Sequence, residues 1–302
     1  MASKRWKSVQ HRVEYVCLRG FLIFIWLVSL KTTLMVGDWL GWFIFSVLRI
    51  RRKVVMDNLS SSFPEKSKKE LLGIAKRAYQ NFAKTTFEYM RFPILDKETV
   101  SSLVHIENPE HFDEILRIGK GGVLVAGHFG NWELMGAALA LMDYPMSFLV
   151  GEQHNKLVDD MMNHYRELMT IRIIHMGMAV RGVIKALRNN GFVALLSDQD
   201  AGREGVFVDF LGRKSSVHQG PAVFALKTGA PILYGSAIRL PNGRHRVESH
   251  ILTFDHLKGL TPENIREVTQ AYTHLLEEAV RAHPDHWFWM HRRWKTRPPE
   301  TS

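Results

Sequence analysis

Gly122-Val123-Leu124-Val125-Ala126-Gly127-His128-Phe129-Gly130-Asn131-Trp132-Glu133 is the stretch from which the chain is read. Residues 122 to 126 form a short β-branched apolar run, the pattern of a buried strand. Asn131 then serves as a helix N-cap, Glu133 falls in the first helical turn, and Leu134 to Leu141 are good helix formers throughout. His128 is thereby expected at the carboxyl end of a strand, where sites form in open α/β sheets. The flanking Gly127 and Gly130 would let a substrate approach the backbone closely. A histidine and a carboxylate at this spacing suit general-base catalysis: imidazole takes a proton from an attacking hydroxyl, while Glu133 fixes its tautomer and stabilises the imidazolium. The same residues also fit a buried structural histidine beside a capping glutamate.

Outward from this segment the pattern alternates. Strands are expected at residues 147–150, 172–175 and 192–197, and helices at 156–169, 180–189 and 221–228. Later strands at 231–238 and 246–251 are joined through the turn signal Asn242-Gly243, and Thr261-Pro262-Glu263 opens a helix towards Arg281. Such alternation predicts an α/β fold, a mixed and mostly parallel sheet flanked by helices. Upstream, a charged, Ser-rich stretch at residues 60–70 marks a boundary. Beyond it residues 70–91 read as an amphipathic helix with Leu71, Ile74, Ala78, Phe82 and Thr85 on one side.

The amino terminus is compositionally distinct. Gly20 to Leu30 is almost wholly apolar, Lys31 interrupts, and Thr32 to Leu48 carries Asp38 as its one charge. Neither half reaches the roughly 20 residues that cross a bilayer comfortably. Basic clusters flank both ends: Lys4, Arg5, Lys7 and Arg12 before, Arg49, Arg51, Arg52 and Lys53 after. A single span would leave one cluster on the wrong side, so a tight hairpin, a shallow interfacial insertion and one long helix carrying Lys31 are all compatible. Trp26, Trp39 and Trp42 suit an interface, or equally packing on the catalytic domain. No small-residue cleavage site follows the first apolar run, which argues against a cleaved signal. The division expected is a membrane anchor or interfacial segment over residues 1–50 and a catalytic domain over 51–302.

The 302 residues, 46% of them hydrophobic, are enough for a substantial core. A formal charge of +10 implies acidic partners, whether nucleic acid, an anionic membrane or an acidic carrier protein. The single cysteine, Cys17, fits a reducing compartment and leaves no thiol nucleophile in the catalytic region.

Other residues carry chemistry. Arg166 lies late in the 156–169 helix, on which Leu157, Met161, His164 and Leu168 mark an inward stripe. Its guanidinium can bind a phosphate or carboxylate at two points, or merely solvate. Asp198 and Asp200 follow an apolar strand and alternate onto one face; there they can hold a divalent metal, orient an arginine, or form an Asp-rich turn before Ala201-Gly202. Arg203, Arg213 and Lys214 can meet a phosphorylated acceptor or face water. The interleaved Trp287-Phe288-Trp289-Met290-His291-Arg292-Arg293-Trp294-Lys295 can stack on bases or seat at a membrane interface. His283, His286 and His291 lack a companion carboxylate or thiolate at metal-site spacing.

The ordered set of these features resembles the lysophospholipid acyltransferase superfamily through His128-x4-Glu133. It resembles specifically the late lipid A branch, the lauroyl and myristoyl acyltransferases of lipid A biosynthesis. The branch is similar at Asn58-Leu59 with Phe63-Pro64-Glu65, at Glu88, at Asn155 with Arg166, and at Asp198-Gln199-Asp200. Further matches are Val206-Phe207-Val208 with Gly212, and His291 through Pro298. These are collinear and span most of residues 50 to 298. A Phe-Pro-Glu-Gly-Thr phosphate motif is absent downstream of the histidine, which argues against the glycerol-phosphate branch. Leu168-Met169-Thr170 stands where the branch leads one to expect a glycine after Arg166.

The resemblance implies an O-acyltransferase of the bacterial inner membrane, its catalytic domain facing the cytoplasm. It would move a fatty acyl chain from acyl carrier protein to a hydroxyl of a lipid A precursor or related glycolipid. It further implies His128 as general base, Glu133 as its orienting partner, and Arg166 and Asp198 as positioning or transition-state residues. Asn131, Asp200 and Arg203 are secondary candidates, the carboxyl-terminal aromatic segment is a near-site strand, and neither cofactor nor metal is required. The alternatives are acylation of another lysolipid or aminolipid, a metal-dependent phosphoesterase using Asp198, Asp200 and histidines, and a basic RNA-binding protein. The last leaves the apolar amino terminus unexplained.

Overall fold

The chain opens with four helices in a computed structural model that describes residues 2–299: α1 (Ala2–Leu27), α2 (Leu30–Phe43), α3 (Arg52–Ser62) and α4 (Lys68–Met90). Ser29 caps α2 by accepting from the Thr32 N–H, so the first apolar stretch breaks ahead of Lys31 rather than running on as one helix. α2 runs on into a π-helical turn, Ile44–Leu48, and the path then bends by 97° into α3 across residues 49–51, where Arg49 and Arg51 take left-handed φ of 55° and 54°. Ser67 and Glu70 form a reciprocal capping box at the start of α4. Among the described residues no single helix is long and apolar enough to cross a membrane.

These helices are bonded into the rest of the fold. Gly41 of α2 sits where a Cβ would come within 2.5 Å of the Gln80 Cα, so the two helices approach backbone to backbone. Leu22 and Ile25 are fully buried. The Arg91 guanidinium closes the far end, donating to the carbonyls of Ile25 (2.7 Å) and Val28 (2.8 Å) and to Thr33 Oγ1 (3.0 Å).

The alternating part follows as α5 (Lys97–Leu103), β1 (Val104–Ile106), α6 (Glu110–Ile118), β2 (Gly122–Ala126), α7 (Trp132–Leu141), β3 (Met146–Val150), α8 (Lys156–Leu168) and β4 (Arg172–His175). It continues with α9 (Ala179–Arg188), β5 (Phe192–Leu196), β6 (Val206–Phe210), β7 (Arg213–Val217), α10 (Gly220–Thr228), β8 (Ile232–Arg239), β9 (His245–Leu252) and α11 (Pro262–Ala282). Seven strands make one sheet in the order β1-β9-β8-β2-β5-β3-β4. β8, β2, β5, β3 and β4 run parallel, while β9 is antiparallel to β8 and β1 runs with β9. This is the mixed, mostly parallel α/β sheet that the alternation predicts, and Gly243, with φ at 81°, supplies its Asn-Gly turn. β2 is buried along its whole length, as a strand covered by helices on both faces must be.

Three features differ from the sequence reading. On α8 the stripe of Leu157, Met161, His164 and Leu168 is not the inward face: Leu157 and Leu168 are exposed, and Asp159, Met161, Asn163 and Tyr165 are buried. Polar side chains take the inner positions because they have polar work there, so hydrophobicity misassigns the face. The carboxyl-terminal aromatic segment is irregular rather than a strand, touching the sheet region through a single bridge between Phe129 and Trp287. Its backbone is held instead by side chains, with the Asn58 amide donating to the carbonyls of Trp289 (3.0 Å) and His291 (2.9 Å). Finally, β6 and β7 form a separate two-stranded sheet against α11, fastened by the Gln270 amide on Asp209 and by Glu277 on the Leu211 N–H.

Candidate active site

Register builds the site. β2 and β5 pair with Ala126 opposite Leu196, so the next residues out of the sheet bring His128 alongside Asp198. Both lie at the carboxyl end of the parallel strands, where diverging loops leave room for a ligand. His128 Nδ1 stands 2.7 Å from Asp198 Oδ1, and Asp198 Oδ2 accepts from the His128 backbone N–H (2.7 Å) and the Trp287 indole N–H (2.8 Å). A carboxylate facing Nδ1 holds the proton there and leaves the Nε2 lone pair outward. The Gln199 amide lies 3.5 Å from Nε2.

The electrostatics follow from burial and pairing. Burial raises the Asp198 carboxyl, but the His128 charge and the three donors outweigh it and hold it at about 2. For His128, burial pushes the imidazole down, and Asp198, with a smaller contribution from the charge of Glu133, more than compensates, so its pKa stands above the ordinary 6.5. Aromatic rings wall the imidazole. Trp132 meets it edge-on at 4.9 Å between centroids, Phe288 lies at 6.0 Å, and Phe82 packs on Phe288 at 4.6 Å.

Glu133 is not the residue on Nδ1. Its carboxylate makes a two-point pair with Arg166, receiving Nε at 3.0 Å and Nη2 at 2.6 Å, while Arg166 Nη1 donates to Asn163 Oδ1 at 2.9 Å. The reason is geometric. Glu133 starts α7 pointing towards α8, and Asp198 already occupies the position beside Nδ1 from the neighbouring strand. Asn131 is the N-cap expected of it, its Oδ1 accepting from the Leu134 N–H at 3.0 Å. Gly130 has φ of 59°, and an added Cβ would lie 1.5 Å from the Ala237 carbonyl oxygen. That glycine admits the protein's own β8, not a substrate.

Asp200 diverges from Asp198. Its carboxylate accepts from the Thr296 hydroxyl (2.9 Å) and backbone (3.3 Å), and its N–H donates to His291 Nε2 (3.0 Å), so it ties down the carboxyl-terminal segment. The two acids therefore do not form a common donor set. Arg203 is exposed on the turn Gly202–Glu204. Trp287, which orients Asp198, carried no specific signal in the sequence beyond its place in an aromatic run.

A buried carboxylate-imidazole pair whose Nε2 meets only the Gln199 amide, at 3.5 Å, at the carboxyl edge of a parallel sheet, is an arrangement chemically able to take a proton from a hydroxyl. Residues 3–296 match the family described as bacterial lipid A biosynthesis acyltransferase, and the chain belongs to that family. Among curated relatives it is similar to a phosphatidylinositol mannoside acyltransferase of Mycobacterium tuberculosis, 26% identical over 68% of this chain and 66% of that one. It therefore spans just under two-thirds of that relative's length. It is also similar to the Escherichia coli lipid A biosynthesis lauroyltransferase, 25% identical over 87% of this chain and 85% of the relative. A third relative is the palmitoleoyltransferase of the same organism, 22% identical over 83% and 81%.

In selectively labelled protein the His128 ring should titrate above 6.5, the value being raised by Asp198. Asp198→Asn should bring the midpoint below that of the unaltered protein, since burial is then opposed only by the smaller effect of the Glu133 charge. An unchanged midpoint measured by NMR would remove Asp198 as the partner.

Proposed function

We propose that the protein transfers a fatty acyl chain from a thioester, carried by acyl carrier protein, to a hydroxyl of a lipid A precursor or related glycolipid. The observation that carries this reading is the His128–Asp198 pair, which turns Nε2 away from the carboxylate with only the Gln199 amide, at 3.5 Å, against it. The acceptor hydroxyl gives its proton to Nε2 as its oxygen bonds to the thioester carbonyl carbon. The tetrahedral intermediate then expels the carrier's thiolate, which takes the proton back from the imidazolium. Asp198 keeps the tautomer and stabilises the cation; Glu133, held by Arg166, adds negative charge nearby. The aromatic wall of Trp132, Phe288 and Phe82 offers apolar surface beside the reacting carbonyl. Glycolipid acceptors are supported by the relatives' names, which cover both lipid A and a phosphatidylinositol mannoside.

His128→Ala should abolish transfer, and Asp198→Asn should cost roughly 10²–10⁴ in kcat, as expected for lost general-base function. Rates on a panel of acyl donors and glycolipid acceptors, with mass spectrometry of the products, check this. Substantial turnover by folded His128→Ala would overturn the mechanism.

The reading includes attachment to the cytoplasmic face of the bacterial inner membrane. Support comes from α1, whose Trp6, Val9, Val13, Val16, Ile23 and Leu27 recur at steps of three, four or seven residues and are all exposed, Trp6 at 72% and Leu27 at 81%. With 3.6 residues per turn this stripe lies opposite the buried Leu22 and Ile25, and Arg12 and Arg19 border it. Replacing Val13, Val16 and Ile23 with serine should release the protein from anionic vesicles while leaving turnover on micellar acceptor within a few fold. Undiminished sedimentation with vesicles would exclude α1 as the attachment.

The donor assignment rests on the charge of +10, which attracts an acidic carrier over about 8 Å at physiological ionic strength. In micelles without anionic lipid, kcat/KM for the carrier-bound donor should fall with salt more steeply than for acyl-coenzyme A. Parallel slopes would assign the charge to the membrane instead.

A further inference from the structure

Glu88, on α4, lies outside the mechanism above, yet it is the most heavily bonded buried carboxylate in the neighbourhood of the site. It is 3% exposed. Arg239 of β8 clamps it at two points, Nη1 to Oε1 at 2.5 Å and Nη2 to Oε2 at 2.6 Å, and His245 Nε2 of β9 stands 3.2 Å from Oε1. The remaining bond to Oε2 comes from the Asn131 side-chain amide, at 2.6 Å. Burial raises this carboxyl, but Arg239 and His245 hold it at about 2, so it is an acceptor at every working pH.

An acceptor-only group facing Asn131 has a specific effect. A side-chain amide presents an oxygen on one side and an NH₂ on the other, and its two orientations are nearly equal in shape. Glu88 dictates that the NH₂ faces α4, and the oxygen is then turned to the Leu134 N–H that it caps. Where α7 begins, and hence where Glu133 sits relative to His128, is fixed by that orientation.

The backbone between is fixed from the same directions. The neighbouring Thr85 hydroxyl donates to the Gly130 carbonyl (2.9 Å), the Gly130 N–H donates to the His286 carbonyl (2.8 Å), and the Phe288 N–H donates to the His128 carbonyl (3.0 Å). We propose that Glu88 is a positioning residue of the acyl-transfer site. Through Asn131 it sets the start of α7, and with Arg239 it locks the loop from His128 to Glu133 in the reactive geometry.

This inference rests on the general-base reading, and the test separates the two. Glu88→Gln and Asn131→Ser are compared singly and together, serine being a competent N-cap that cannot reach Glu88 as the amide does. Each variant is assayed at a fixed interval below its own melting temperature. Each single change should lower kcat about 10- to 100-fold with both KM values within about twofold, because misplacement costs the transition state rather than binding. The double variant should be no slower than the slower single one, since both changes break one link.

Glu88→Gln leaves Arg239 and His245 without their carboxylate and is the variant that risks unfolding. Asn131→Ser keeps that cluster whole, so its kcat carries the test if the other does not fold. Full kcat in folded Asn131→Ser, or multiplicative losses in the double variant, would overturn the positioning role. His128→Ala in the same assay supplies the control: if it remains active, the general-base reading fails; if it is dead while the Glu88 and Asn131 variants are unaffected, the present inference alone fails.

Discussion

The burial of one ionised carboxylate, Asp198, is the constraint around which the site is arranged. A charge taken out of water must be met by donors, or it neutralises or unfolds its surroundings. Here the donors are the imidazole, the backbone N–H of the same histidine and the Trp287 indole. They come from two distant parts of the chain: the β2 exit for the first two, the carboxyl-terminal segment for the third. Satisfying Asp198 therefore forces β2, β5 and the tail into one relative placement. The tail has little regular structure, and side-chain bonds from Asn58, Asp200 and Arg293 supply what a sheet ladder would otherwise provide.

A second consequence concerns the amino-terminal helices. α2 meets α4 at Gly41 with no room for a side chain, and α4 presents Glu88 and Thr85 to the loop after His128. The apolar helices are thus mechanically continuous with the loop after His128 by way of one rigid element. A tether would need only length and hydrophobicity. This arrangement instead fixes the distance and angle between the exposed stripe of α1 and the imidazole.

Much of this was legible in the sequence. The strand-helix unit around His128 announces itself because β2 is buried on both faces, which makes it a continuous apolar run, and because Asn131 and Glu133 are a cap and a first-turn acid in the usual positions. The alternation beyond it gave the sheet class for the same reason. What was hidden is pairing. His128 and Glu133 are near in sequence and invite assignment to each other, whereas Asp198, seventy positions along, reaches Nδ1 through strand register, which a single sequence does not state. The face of α8 was misread because Asn163 and Arg166 face inward to serve Glu133, and a hydrophobicity pattern counts them as solvent-facing. The β6–β7 hairpin is hidden because β7, Arg213-Lys214-Ser215-Ser216-Val217, is polar and buries two serines instead of an apolar run.

The glycine missing after Arg166 shows how the fold absorbs a local departure. Thr170 takes φ of 61°, a left-handed conformation that costs a β-branched residue about 1–2 kcal/mol. It stays there because the helix end closes in the two-bond pattern that normally recruits glycine: the Ile171 N–H donates to the Arg166 carbonyl and the Thr170 N–H to the Glu167 carbonyl. The threonine hydroxyl adds a bond to the Ala140 carbonyl at 3.2 Å, tying the end of α8 to α7. That tie joins the two helices that carry Arg166 and Glu133. The strain at Thr170 is thus offset where it holds the second charged pair of the site in place.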